Sequence, residues 1–341
     1  MSPDPLDRVP ERQRDAAKAA VRAALGGAQV TALRPAAGGA SGALTYRVDA
    51  GSRSYLLRLE TGLNALQNPH HYPCMKAAAD AGIAPPLRFA DPQQGVALMD
   101  FVTQRPLQEY PGGPPALARD LGALIRRLQD ETSFPSHPIS YLELLDRMLS
   151  SVIGSRVFAP GLLDPHRAGL ERIREAYPWN GTALVSSHND PNPRNILFDG
   201  TRLWLVDWET SCSNDALTDV AVVTHELAGT PELQDAILRS WLGREPDRAT
   251  HARLFLMQQL TRMYFACVLF RLFAADPNRE PDSTLEALTP AEFVAALQAG
   301  RLKVGTPEVL YAFGKMFLAG FLAGLSAPGF ADALVVARQS H

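Results

Sequence analysis

The dipeptide Asp199–Gly200, set between the apolar runs 195–198 (NILF) and 202–206 (RLWLV), constrains this chain more tightly than any other feature. Asp-Gly between two such runs is a strong short-range signal for a β-hairpin. A hairpin folded there brings its outer ends together, so Asn195 at the start of the first strand and Asp207 beyond the second face one site. Asp190 precedes Asn195 by five residues, and His188 precedes Asp190 by two. Hard cations such as Mg²⁺ take one or two carboxylates plus other oxygens, with phosphate and water completing the shell. Asn195 and Asp207 supply an amide oxygen and a carboxylate of that kind. Asp190, on the loop just before the hairpin, is placed to orient a substrate hydroxyl and accept its proton in phosphoryl transfer.

The rest of the chain supplies a frame for that island. At 341 residues it is long enough for about two domains, and with 46% hydrophobic and 20% charged residues it can bury a large core. A net charge of −3 gives no field to gather nucleic acid or anionic lipid, so neither a nucleic acid nor a membrane is expected as a partner. Cys74, Cys212 and Cys267 form no CxxC pair, which argues against a zinc cluster or disulfide framework and for a reducing compartment. The N-terminus lacks the apolar core of a signal peptide, and no unbroken apolar run nears the roughly 20 residues of a membrane span. The run 316–325 (MFLAGFLAGL) reads as a buried helix, and the expected location is the cytoplasm. A helix over 16–25 stops at Gly26–Gly27. Strands are predicted at 44–48 and 55–59, after a glycine loop at 36–43. A helix over 72–80 ends at Gly82, Pro85–Pro86 reads as a stop, and 96–102 reads as a buried strand. Leu117, Leu121, Leu124, Ile125 and Leu128 mark one face of a helix, and the chain from 232 onward has the same character. The expected architecture is α+β: a small antiparallel-sheet lobe over 1–102, then a larger, mainly helical lobe over 103–341 that carries the hairpin.

H-N-D-x-x-x-x-N at 188–195, followed by D-W-E at 207–209, resembles the catalytic and metal-binding segments of aminoglycoside phosphotransferases and choline/ethanolamine kinases. The resemblance spans 30–241 and implies a two-lobed protein-kinase-like fold. It implies ATP or another nucleoside triphosphate with Mg²⁺, and as acceptor the hydroxyl of an amino alcohol, an aminoglycoside, thiamine or a sugar. By the same resemblance Asp190 is the catalytic base, and Asn195 and Asp207 are the Mg²⁺ ligands. His188 is the structural histidine of the loop, Glu209 matches a frequent acidic position, and Asp219 braces the loop from the following helix.

Gly38, Gly39, Ser41 and Gly42 form a loop whose backbone amides can approach phosphate oxygens. No Gly-Lys-Ser/Thr follows, so it is not a Walker loop. Arg58 stands where kinases place a strand lysine that contacts phosphates, and a guanidinium can hold two phosphate oxygens at once. Met99, Asp100, Phe101 and Val102 resemble the connector whose backbone meets the adenine edge. The chain departs from the family in one respect: residues 63–79 hold no acidic residue to pair with Arg58, and His70 or His71 occupies the space. That gap supports a second reading, a catalytically impaired kinase-like nucleotide- or ligand-binding protein. A smaller departure is Gln129, where relatives often carry histidine. A third reading, a metal-dependent phosphatase or nuclease, needs more carboxylates and histidines than the island holds. H-N-D and the segment 214–226 lean towards the choline/ethanolamine branch, with Trp208, Trp241, Tyr264, Phe265 and Phe270 as aromatic candidates for a cation and Asp215 and Glu226 as acidic ones. Such aromatic residues at helical spacing are more often core. Oligomeric state is not legible.

Overall fold

The computed structural model describes residues 4–36, 43–62, 69–179, 183–271, 273 and 280–339. Helix α1 (Glu11–Leu25) ends where Gly26 turns left-handed at φ 58°, a C-cap that glycine adopts without steric cost. Strands β1 (Val30–Pro35), β2 (Leu44–Ala50) and β3 (Arg53–Leu59) follow. Ala50 pairs with Arg53, so β2 and β3 are joined by two residues, and Gly51 supplies φ 60° for that tight reversal. Next come α2 (His71–Asp80), β4 (Leu87–Asp91) and β5 (Val96–Asp100). The five strands make one antiparallel sheet in the order β1-β2-β3-β5-β4. The prolines read as a stop signal do not prevent β4. They sit just ahead of an edge strand, where a missing N–H costs the ladder little.

The chain continues through α3 (Gly113–Glu131), α4 (Tyr141–Gly154) and α5 (Asp164–Ala176). Four short strands follow: β6 (Leu184–Ser187), β7 (Ile196–Phe198), β8 (Leu203–Leu205) and β9 (Cys212–Asp215). The remainder is helical: α6 (Leu217–Leu227), α7 (Pro231–Leu242), α8 (Arg248–Arg271), α9 (Pro290–Gln298), α10 (Pro307–Ser326) and α11 (Phe330–Arg338).

Two compact units divide the chain, one of residues 1–137 and 184–245, the other of 138–183 and 246–341. The lobe boundary expected at 102–103 falls inside the first. In that unit, Tyr55, Leu57 and Leu59 of β3 join Val48, Leu33, Val96 and Leu98 in a core closed by Ala17, Ala20 and Val21 of α1. Burying each such Leu or Val contributes roughly 1.5–3 kcal/mol relative to exposure. Strand alternation then sends Leu56 and Arg58 to the opposite face. The same unit holds the hairpin β7–β8, paired from Ile196↔Leu205 to Phe198↔Leu203, and a second antiparallel pair, β6–β9. Leu121, Leu124, Ile125 and Leu128 are buried along α3, the face that their spacing predicts.

In the second unit α10 packs against α8 and α5. It is 20 residues long with mean hydropathy 1.5 over its most apolar window, a length and composition that would also suit a membrane span. Phe317, Leu318 and Phe321 are buried in it, and Lys315 bonds Asp282 at 2.9 Å. The run 316–325, expected as a buried helix, is its C-terminal half.

Candidate active site

The hairpin folds as its turn chemistry dictates. The Asp199 carboxylate accepts from the Thr201 N–H at 2.7 Å, the Arg202 N–H at 2.9 Å and the Trp204 indole N–H at 2.7 Å. Gly200 takes φ 102°, a conformation costly for any side chain. The last ladder pair is Phe198↔Leu203, so residues 199–202 make the turn, and Asp199 N–H donates to the Arg202 carbonyl across it at 3.2 Å. At the other end Val206 N–H donates to the Asn195 carbonyl at 3.0 Å. Asn195 and Asp207 therefore lie at neighbouring positions across the strand pair.

Asp190 is held from both sides. Asn192 Nδ2 donates to its Oδ1 at 2.8 Å, and Asn195 Nδ2 donates to its Oδ2 at 3.3 Å and its carbonyl at 2.9 Å. Spending its nitrogen there turns the amide oxygen of Asn195 away from Asp190. Burial pushes the Asp190 carboxyl up to about 7; the Asn192 amide opposes this, while the charges of Asp207 and Glu226 add to it. Asp207 is the less satisfied group. Its backbone is left-handed, at φ 67°, and its Oδ1 is buried without a hydrogen-bond partner among the described residues. Strained backbone of this kind clusters at functional sites, and a buried acceptor without a donor costs about 1–3 kcal/mol. Burial raises this carboxyl too, against the pull of Arg58 and His71. A dication would fill the open oxygen and reverse the local electrostatics. Among the described residues no group of three or more His, Cys, Asp or Glu side chains is placed to hold a metal. One carboxylate and one amide suit an ion such as Mg²⁺ that arrives with phosphate oxygens.

Asp219, in the first turn of α6, ties down the loop ahead of Asp190. It accepts from Ser187 Oγ at 2.9 Å and from the N–H groups of His188 and Asn189, each at 2.8 Å. Full burial pushes this carboxyl up to about 6 in spite of the three donors. Losing it would strand all three, at about 1–3 kcal/mol each. The start of α6 is served instead by Asp215, which accepts the Leu217 N–H at 2.8 Å. One carboxylate oxygen of this candidate for a cationic substrate is thus spent on the helix. His188 is fully buried, its Nε2 bonded to the Val206 carbonyl at 2.9 Å and its ring tilted on Trp208 at 4.6 Å. Burial holds its imidazole down at about 4, so it stays neutral near pH 7. Asn189 has φ 65° and lends its amide to the Thr210 carbonyl at 2.8 Å, pinning the residue next to Asp190.

Arg58 projects from β3 towards this site, with only 7% of its side chain exposed. Its Nη1 bonds Glu60 Oε1 at 3.0 Å, and its Nη2 pairs with Glu209. Glu60 Oε1 also meets His71 Nε2 at 2.8 Å. Burial would raise Glu60, but the bonds from His71 and Arg58 hold it down at about 2. The gap expected opposite Arg58 is therefore filled by two carboxylates from outside α2. Glu60 escapes a search for a helix glutamate, yet period two on a strand end puts it on the same face as Arg58. Asn192 gives no signal beyond its place in the loop.

Of the connector residues, Met99 and Asp100 belong to β5, and the strand stops two residues short of the expected 102. Asp100 N–H donates to Pro86 and Phe101 N–H to Ser54, at 2.9 and 3.1 Å, so these two amides are already spent. The Asp100 carboxylate is taken by Arg88 at 2.6 and 2.7 Å. Gly38, Gly39, Ser41 and Gly42 lie outside the described residues. Three of the five aromatic candidates are core: Trp208 is packed edge-on against Phe134, Phe270 against Phe158, and Trp241 gives its N–H to Gln129 at 2.8 Å, whereas Phe265 is only partly buried. Gln129 in turn donates to the Ala216 carbonyl at 2.9 Å, a double task that suits an amide.

Residues 32–254 match the model of the phosphotransferase enzyme family. Among solved structures, the chain is similar to a choline/ethanolamine kinase family protein from Mesorhizobium loti, at 20% identity and TM-score 0.68, covering 96% of this chain and 100% of that one. It is also similar to a spectinomycin phosphotransferase solved with ADP and spectinomycin, at 12% identity and TM-score 0.51, covering 85% and 95%. At such identities these likenesses show the fold: a kinase-like one, with a five-stranded antiparallel sheet followed by a mainly helical region. Protein LicA of Haemophilus influenzae is 39% identical over 58 residues, 17% of this chain and 22% of that protein. The match thus spans about a fifth of that curated relative.

Proposed function

This chain belongs to the phosphotransferase enzyme family of small-molecule kinases, and from that premise we propose that it transfers the γ-phosphoryl group of ATP, with Mg²⁺, to the hydroxyl of a choline- or ethanolamine-like amino alcohol. The observation that carries the reading is the Asp190–Asn195–Asp207 group, a buried proton acceptor beside a carboxylate with one oxygen unpartnered among the described residues. Asn192 and Asn195 fix both carboxylate oxygens of Asp190, so it meets the acceptor hydroxyl in one orientation and takes its proton. Asn195 and Asp207 would hold Mg²⁺, which when bound draws charge from the phosphate oxygens. Arg58 holds phosphate oxygens from the sheet side, its planar guanidinium matching two of them at once. Nucleotide as the donor is supported by the ADP named in the spectinomycin phosphotransferase structure.

For the acceptor, Glu226 lies near enough to Asp190 for its charge to raise that carboxyl. A pocket lined by carboxylates gathers cations, and an amino alcohol brings its hydroxyl together with one. The likeness to a choline/ethanolamine kinase family structure supports the same class. The impaired-binder alternative drew on an Arg58 lacking a helix carboxylate. With Glu60 and Glu209 both on that guanidinium, the active reading is favoured.

Two measurements test it. Asp190 must be ionised to accept a proton and is raised to about 7, so kcat/KM is expected to fall about tenfold per pH unit below that value. A profile flat from roughly pH 8 to pH 5 would remove Asp190 from the role. ATP consumption screened against amino alcohols, sugars and aminoglycosides is expected to show turnover with choline or ethanolamine and little with neutral sugars. Turnover with aminoglycosides alone would overturn the acceptor, and none with any compound would overturn the reaction.

A further inference from the structure

The ion-pair group behind the site has an unusual wiring. Glu60 Oε1 takes two donors, Arg58 Nη1 at 3.0 Å and His71 Nε2 at 2.8 Å. Glu60 has little freedom to choose another geometry. Its N–H bonds the Gly95 carbonyl at 2.9 Å, and that glycine, at φ 63°, lies so close that a Cβ there would come within 3.0 Å of the Glu60 Cβ. Arg58 Nη1 and His71 Nε2 thus both draw on that one oxygen. His71 is the first residue of α2, 5% exposed, with its ring against Tyr72 at a centroid distance of 4.4 Å. One turn further, Cys74 Sγ donates to the Ser211 carbonyl at 3.4 Å, two residues past Glu209. Helix α2 therefore grips both segments that hold Arg58, one directly at Glu60 and one just beyond Glu209. No residue from 63 to 79 is acidic, so the helix offers the guanidinium no carboxylate of its own and meets it through a donor that shares Glu60.

We propose that His71 is a positioning residue for nucleotide binding: it links α2 to Arg58 through Glu60, with the polarity of a direct helix–strand ion pair reversed. The inference rests on the reading of Arg58 as a phosphate-binding group. Without the imidazole, Glu60 keeps Arg58 as its donor but loses its 2.8 Å bond to the first residue of α2. The guanidinium then wanders from the place where phosphate oxygens arrive, while the bonds that hold Asp190 are untouched.

The experiment compares His71→Ala, His71→Gln, Glu60→Gln and Arg58→Met in steady-state kinetics, calorimetric MgATP titration and thermal melting. His71→Ala is expected to raise KM for ATP about tenfold with KM for the acceptor unchanged. His71→Gln, whose side-chain N–H can reach Glu60, restores most of the loss. Glu60→Gln weakens both bonds at once and raises KM for ATP in the same way, which keeps the test alive if the alanine variant folds poorly. An effect of His71→Ala on melting alone, an equal rise in both KM values, or a glutamine variant no better than alanine overturns the proposal. If Arg58→Met raises KM for ATP while the His71 variants do not, the positioning role alone falls. If Arg58→Met leaves nucleotide binding intact, the phosphate-binding reading falls with it.

Discussion

Asp190→Asn is expected to lower kcat by about 10³-fold, within the range that a positioned general base supplies, while the Kd for MgATP moves less than about threefold. The side chain keeps its volume, so the loop has no cavity to collapse into. What it loses is the ability to take a proton from the acceptor hydroxyl. The structural cost is one hydrogen bond: Asn192 and Asn195 each donate to a different oxygen of Asp190, and an amide can answer only one of them. That loss costs about 1 kcal/mol and is opposed by removal of a carboxylate that burial already disfavours. Melting should hardly change. Single-turnover phosphoryl transfer alongside calorimetric titration separates the two quantities, and an Asp190→Asn variant with wild-type turnover would end the assignment.

How much of this was legible in the sequence follows from how local each signal is. The hairpin, Asn195, Asp207 and Asp190 sit within 187–209, and a turn with its flanking runs is enough to bring them together. Asp219 needed a longer reach: its place at the start of a helix reads equally well as a cap, and only the family resemblance pointed to its role in bracing the loop. The partner of Arg58 did not stay local. Glu209 is 151 positions away, and no periodicity in β3 or α2 points to it. Glu60 was within reach, since alternation puts it beside Arg58, but the search for a helix carboxylate looked past it. Strand β9 (CSND) has no apolar alternation, because its burial comes from the polar groups that support Asn189. Strand β4 was hidden by the prolines ahead of it. The aromatic residues follow the commoner expectation: Trp208, Trp241 and Phe270 are buried in packing contacts.

Asp207→Asn is expected to separate function from stability. Activity should fall at least about 10³-fold, since the substitution removes the single carboxylate offered to the cation that accompanies the phosphates. MgATP should then bind no more tightly than ATP in the presence of a chelator. The folded protein without ligand should nevertheless gain about 1 kcal/mol, or roughly 2 °C in melting temperature. Three features point that way. The buried Oδ1 has no donor among the described residues, burial raises the carboxyl above its ordinary value, and asparagine tolerates the left-handed backbone at φ 67°. A carboxyl raised on folding stabilises the fold where it is protonated, and that contribution is lost as pH rises through its raised value. The margin of Asp207→Asn over the parent should therefore be small at low pH and widen above the ordinary carboxylate range. Adding Mg²⁺ and ATP should reverse the order, because only the parent gains from binding. Thermal melts across pH, with and without ligand, test each arm; a variant less stable than the parent in every condition would mean that Asp207 serves the fold rather than a cation.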